Sequence, residues 1–110
     1  MQLKFGEYNE GEGSELLCPR CEFDHLHHYQ VDVFERKEDA ATGLHVHVAD
    51  CSSSIDTHLR GNPSSRRGGV AVRFWCEGCH AKLLLTIAQH KGVTLVNLID
   101  TGEDFEWPET

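Results

Sequence analysis

The stretch "FWCEGCHAKLLLTIAQHKGVTLV", residues 74–96, decides how this chain folds. It opens on Cys76 and Cys79, two residues apart, and then runs apolar for most of its length. "KLLLTIAQ" (82–89) has the composition of a short helix, since Leu, Ala, Gln and Lys are good helix formers. Against this, "HKG" (90–92) is a compact turn, and "VTLVNLI" (93–99) beyond it is rich in β-branched residues. Two apolar runs joined by a short glycine-containing turn read as a β-hairpin.

Working outward, other segments alternate as half-buried strands do. "YQVDVF" (29–34) sets Tyr29, Val31 and Val33 against Gln30, Asp32 and Phe34. "LHVHVA" (44–49) sets Leu44, Val46 and Val48 against His45, His47 and Ala49, and "GVAVRFW" (69–75) sets Val70, Val72 and Phe74 against Ala71, Arg73 and Trp75. The expected fold is all-β. Residues 51–69, "CSSSIDTHLRGNPSSRRGG", read as one long polar loop, a length that is uncommon unless the loop is functional or disordered.

The cysteine pair has a counterpart. "LLCPRCEFD" (16–24) places Cys18 and Cys21 at the same Cys-x-x-Cys spacing. Two residues between cysteines allow a tight knuckle that aims both sulfurs at one point, and Pro19 and Gly78 suit such turns. Zinc takes four soft donors at tetrahedral corners, and structural sites use all four positions. A thioredoxin-like redox pair needs a βαβ setting and a single Cys-x-x-Cys, and the chain has neither. With five cysteines and no export signal in "MQLKFGEYNEGEGSE", a reducing compartment is expected, where thiols bind metal more often than each other. Cys18, Cys21, Cys76 and Cys79 therefore point to one structural Zn2+, with an iron centre left open by the spacing. Cys51 is the odd cysteine, and a buried free thiol is the expectation for it.

On these four cysteines and the strands beside them, the chain resembles the zinc-ribbon group, in which two Cys-x-x-Cys knuckles sit on β-hairpins. It departs from that pattern in having 54 residues between the pairs, so the insert must carry strands and the long loop itself. "NPSSRR", "FWCEGC" and "LTIAQHKG" are also similar to segments of small zinc-ribbon proteins of bacteriophages and prophages. The resemblance implies the metal-stapled β fold and no particular activity.

The net charge of −8 sits at the ends. Residues 1–15 form an acidic N-terminal segment, expected to be partly ordered at most. Residues 100–110 carry Asp100, Glu103, Asp104, Glu106 and Glu109 with no base, and read as a separate acidic tail that solvates the chain, while Phe105 and Trp107 interleaved with the acids also suit docking into a basic, apolar groove. Between them, 16–99 reads as one zinc-ribbon-like domain with nine acids and nine bases. No run of about 18 apolar residues spans a membrane, and a cytoplasmic setting is expected, that of a bacterial host if the chain is phage-derived.

Three functions compete. The first is a non-enzymatic binding module that meets nucleic acid or protein through Arg60, Asn62, Ser64, Ser65, Arg66, Arg67 and Arg73. The glycines and short hydroxyls of this loop, with its guanidinium forks, suit an anionic group. The second is a small acidic inhibitor or adaptor of a host protein. The third is a metal-dependent hydrolase or nuclease using a second, histidine-rich site built on His45 and His47, completed by Asp50, His58 or the "DHLHH" run (24–28). No catalytic motif is present, so the first is favoured and no catalytic residue is assigned.

Overall fold

The computed structural model describes residues 3–9 and 11–106, and the regular elements among them are all strands. In chain order these are β1 (Phe5–Asn9), β2 (Gly13–Leu16), β3 (Leu26–Glu35), β4 (Leu44–Ala49), β5 (Ser52–Asp56), β6 (Gly69–Cys76), β7 (Ala81–His90) and β8 (Val93–Asp104). β1 and β2 form a small hairpin sheet. The other six form one antiparallel sheet in the order β5-β4-β3-β6-β7-β8. Among the described residues no helix is long and apolar enough to cross a membrane.

The 74–96 stretch folds as the hairpin β7–β8, closed by Lys91 and Gly92 with φ of 49° and 82°. Positive φ at both turn positions matches the right-handed twist of the strands. The β4–β5 hairpin closes in the same way, with Asp50 and Cys51 at 52° and 59°. Cys51 is therefore exposed at a turn tip, not buried as expected.

Two further expectations are corrected. Residues 51–69 are not one loop, because Ser52–Asp56 is the edge strand β5 and only 57–68 connect. Its serines give no apolar alternation to read. Nor is the acidic tail separate at residue 100, since β8 continues to Asp104, which pairs with Ala81. An outermost strand tolerates such charge, which discourages further edge pairing. A register shift opposite Ala81/Leu83, with Gly102 at φ 82°, accommodates the polar end. Trp107 and Glu109 lie outside the described residues.

Cross-strand register defines two faces. Asp32, Phe34, His45, His47, Asp56, Gly69, Ala71 and Ala88 share one. The 57–68 connection crosses this face at Phe34, where Gly61 lies against the ring. Pro63 meets Gly69 so closely that a Cβ on Gly69 would lie 2.7 Å from it. Val31, Val33, Val46, Val48, Ile55, Val70, Val72, Leu85 and Ile87 share the other face. A bulge at His28/Gln30 takes Tyr29 out of register with Val31, and its ring meets Phe105 instead.

The core is small and eccentric. Cys18, Cys76, Ala81, Leu83 and Leu98 are buried together, with Leu3, Leu16, Leu26 and Phe74 packed against them. Five of the nine buried apolar residues are cysteines or alanines with little area to bury, so the fold needs another source of cohesion at this end.

Candidate metal centre

Two turns of matching geometry build the centre. In Cys18–Glu22 the Glu22 N–H donates to the Cys18 carbonyl at 2.8 Å, and in Cys76–His80 the His80 N–H donates to the Cys76 carbonyl at 2.8 Å. Glu22 and His80, each directly after its second cysteine, have φ of 65° and 64°. The left-handed residue reverses the chain after the second sulfur, so both knuckles present their thiols inward. Gly78 serves packing, since a Cβ there would lie 2.9 Å from the Phe23 ring. The Glu77 N–H donates to the His25 carbonyl at 3.0 Å and ties the knuckles together.

The four Sγ atoms all lie within 4.8 Å of one another. Cys18 Sγ is 3.7 Å from Cys79 Sγ, and Cys21 Sγ is 3.5 Å from Cys76 Sγ. A disulfide needs about 2.05 Å. A tetrahedral ion with metal–sulfur bonds of about 2.3 Å puts its sulfurs about 3.8 Å apart, which these separations match. Burial pushes the Cys76 thiol up and the Cys79 thiol to about 12. Burial also acts on Cys21, but the Phe23 backbone N–H and the neighbouring thiols outweigh it and bring that thiol down. A metal cation held here would supply the charge that four thiolates at one point require. A four-coordinate ion held by all four sulfurs would keep no position for a substrate.

Surrounding contacts lock the knuckles to the sheet. Arg20, between the first two cysteines, donates Nε and Nη2 to the Asp100 carboxylate at 2.8 Å each and Nη1 to Asp104 at 2.7 Å. Two acids of the supposed tail are thus partners of the first knuckle. The Phe105 N–H donates to the His80 carbonyl at 2.6 Å, and the Phe105 ring stacks on Trp75 with centroids 5.1 Å apart. His25 bonds Asp24 through Nδ1 and stacks on Phe23, while His80 meets the edge of Trp75.

The residues expected to bind a partner fall elsewhere. Asn62 and Ser64 hold the loop together: Asn62 Oδ1 accepts from the Ser64 N–H, and Ser64 Oγ donates to the Gln89 carbonyl and accepts from the Arg67 N–H. Arg66 forks onto Asp39, and Arg67 reaches Glu38, both in the β3–β4 connection. Arg60 and Ser65 are exposed on the loop, and Arg73 lies on β6 opposite Gln30.

A second cluster forms around His45 and His47, and the carboxylate that joins them is Asp32. Burial alone would raise the Asp32 carboxyl, yet hydrogen bonds from His45, His47 and Gln30 hold it below the usual range. His45 is likewise disfavoured as a cation by burial but raised overall by Asp32 and Asp56. Asp50 is at the hairpin tip, and His58 donates its backbone N–H to Asp56. The antiparallel β3–β4 register puts Asp32 opposite His47, a pairing that alternation within single strands does not reveal.

No family model, curated protein or solved structure matches the chain. The functional reading therefore stands on this geometry.

Proposed function

We propose that this protein is a non-enzymatic, zinc-stapled β-sheet module of the zinc-ribbon kind that binds a protein partner. Its zinc is structural: four thiolates fill the coordination sphere, and a reducing compartment suits them. The observation that carries the reading is the uncovered apolar face. Val33, Val48 and Ile55 are 36%, 42% and 69% exposed on it, with Val31, Val46, Val70, Val72 and Ile87 half-buried between them. Strand register sets them side by side as one exposed apolar patch, the kind of surface that marks an interaction site. No charged side chain stands among these positions, and depletion of charge is a mark of a protein interface core.

Protein is favoured over nucleic acid. Phosphate neutralisation supplies most nucleic-acid affinity, and here the net charge is −8 while Arg66 and Arg67 are paired with the chain's own Asp39 and Glu38. An acidic adaptor or inhibitor acting on a host protein falls within the same reading.

Adjacent residues of the edge strand β5 give the test, because Ile55 and Ser54 point to opposite faces. A photo-crosslinking residue at position 55 should give a discrete adduct in cells, and one at position 54 should not. Val48→Lys should abolish the adduct without unfolding the protein. Equal crosslinking from both positions would overturn the reading. So would binding to a nucleic-acid panel at physiological salt that is lost in Arg66→Ala/Arg67→Ala.

A further inference from the structure

The Asp32–His45–His47 cluster lies on the opposite face of the sheet from the apolar surface and is formed by β3 and β4, away from the cysteine knuckles. Three donor atoms converge there. His45 Nε2 and His47 Nδ1 each lie 2.7 Å from the same oxygen, Asp32 Oδ1. The other Asp32 oxygen accepts from Gln30 Nε2 at 3.1 Å, which fixes the carboxylate so that Oδ1 faces both rings. His45 stacks on Phe34 with centroids 4.5 Å apart and rings 3° from parallel, so its plane is fixed as well.

The far side of His45 carries the second observation. Its Nδ1 lies 2.9 Å from Asp56 Oδ1, and that oxygen is held in turn by the His58 backbone N–H at 2.9 Å. A carboxylate on the remote nitrogen of an imidazole selects the tautomer with Nδ1–H, which leaves a lone pair on Nε2. That lone pair faces Asp32 Oδ1 and takes either a proton, which it then donates to Asp32, or a metal ion in the proton's place. Carboxylate–histidine–metal chains are built in this order.

We propose that Asp32, His45 and His47 form a second metal site, for a borderline divalent ion of the zinc and cobalt class. Two imidazoles and one carboxylate favour that class over magnesium or calcium, which take oxygen ligands. Ligand bonds of about 2.0–2.2 Å require the donor atoms to open by less than about 1 Å. Three protein ligands leave a fourth position for water or for an atom of a bound molecule, in contrast to the closed cysteine centre. Asp56 is the positioning residue, acting through His45.

The proposal is independent of the partner-binding reading and is tested on the full chain, purified without a histidine tag. After one equivalent of zinc fills the cysteines, Co2+ is titrated against a chromophoric chelator, and metal per chain is measured by mass spectrometry. Wild type should take one further equivalent, with the weak visible bands of nitrogen and oxygen ligation and no thiolate charge-transfer band. His45→Gln/His47→Gln should lose that equivalent, whereas His27→Gln/His28→Gln should keep it. Asp56→Asn should weaken it about 10–100-fold. If the histidine double variant fails to fold, the wild-type and Asp56→Asn titrations still decide. No second equivalent in wild type, or one that survives His45→Gln/His47→Gln or is unmoved by Asp56→Asn, would overturn the proposal.

Discussion

Leu83→Ala puts the eccentric core to a quantitative test. Leu83 is 0% exposed and packs with Cys18, Cys76, Ala81 and Leu98 directly beside the metal knuckles. The substitution removes three buried carbons, or about 2.4 kcal/mol of transfer free energy at about 0.8 kcal/mol each. A residual cavity adds to this, because Leu98 and the knuckles are pinned by strand pairing and by the cysteines, so about 3–4 kcal/mol is expected. In a chain of this length that corresponds to a melting-temperature loss of roughly 15 °C. The comparison is Val33→Ala, on the uncovered face at 36% exposure, for which less than about 1 kcal/mol is expected. Urea denaturation of both variants with excess Zn2+ gives the two values. If Leu83→Ala cost less than about 1 kcal/mol, or no more than Val33→Ala, the core would not be where we place it.

Other substitutions probe separate parts of the argument. Gly68→Ala drives a Cβ into the Phe34 carbonyl and should cost more than about 3 kcal/mol, whereas Gly92→Ala meets nothing within 4 Å and should cost only the roughly 1 kcal/mol of a left-handed backbone. Cys51→Gly at the β4–β5 tip should leave metal content unchanged and stabilise the protein by about 0.5–1 kcal/mol, read as a rise in urea midpoint. Arg20 and the Gly102 N–H hold the Asp100 carboxyl below its ordinary 3.8, so this stabilisation is complete above that pH and is lost as pH falls through the lower folded value. Wild type should therefore lose melting temperature more steeply than Arg20→Gln below about pH 4, and parallel acid limbs would count against the clamp.

Much of this was legible in the sequence, for identifiable reasons. The β7–β8 hairpin announces itself through two apolar runs and a glycine turn, and β4 through unbroken alternation of Val and His. The four cysteines are recognisable because both pairs share one spacing, and the structure brings their sulfurs together. What stayed hidden is mostly polar or non-local. β5 is nearly all serine before Ile55, and the end of β8 is acidic, so neither carries an apolar period. The left-handed Glu22 and His80 that shape the knuckles have no glycine to mark them. Asp32 joins His45 and His47 only through register between strands. The arginine loop looked like a free anion site because Glu38 and Asp39, its partners, are distant in sequence.

X-ray absorption at the zinc edge tests the central claim most directly. With one equivalent of zinc on tag-free protein, the account predicts a single shell of four sulfurs at about 2.3 Å. The shell should be unaltered in Cys51→Ser and broken in Cys76→Ser, together with the native melting transition. A shell containing nitrogen or oxygen at one equivalent, or a Cys76→Ser protein that melts like wild type with no metal bound, would contradict it.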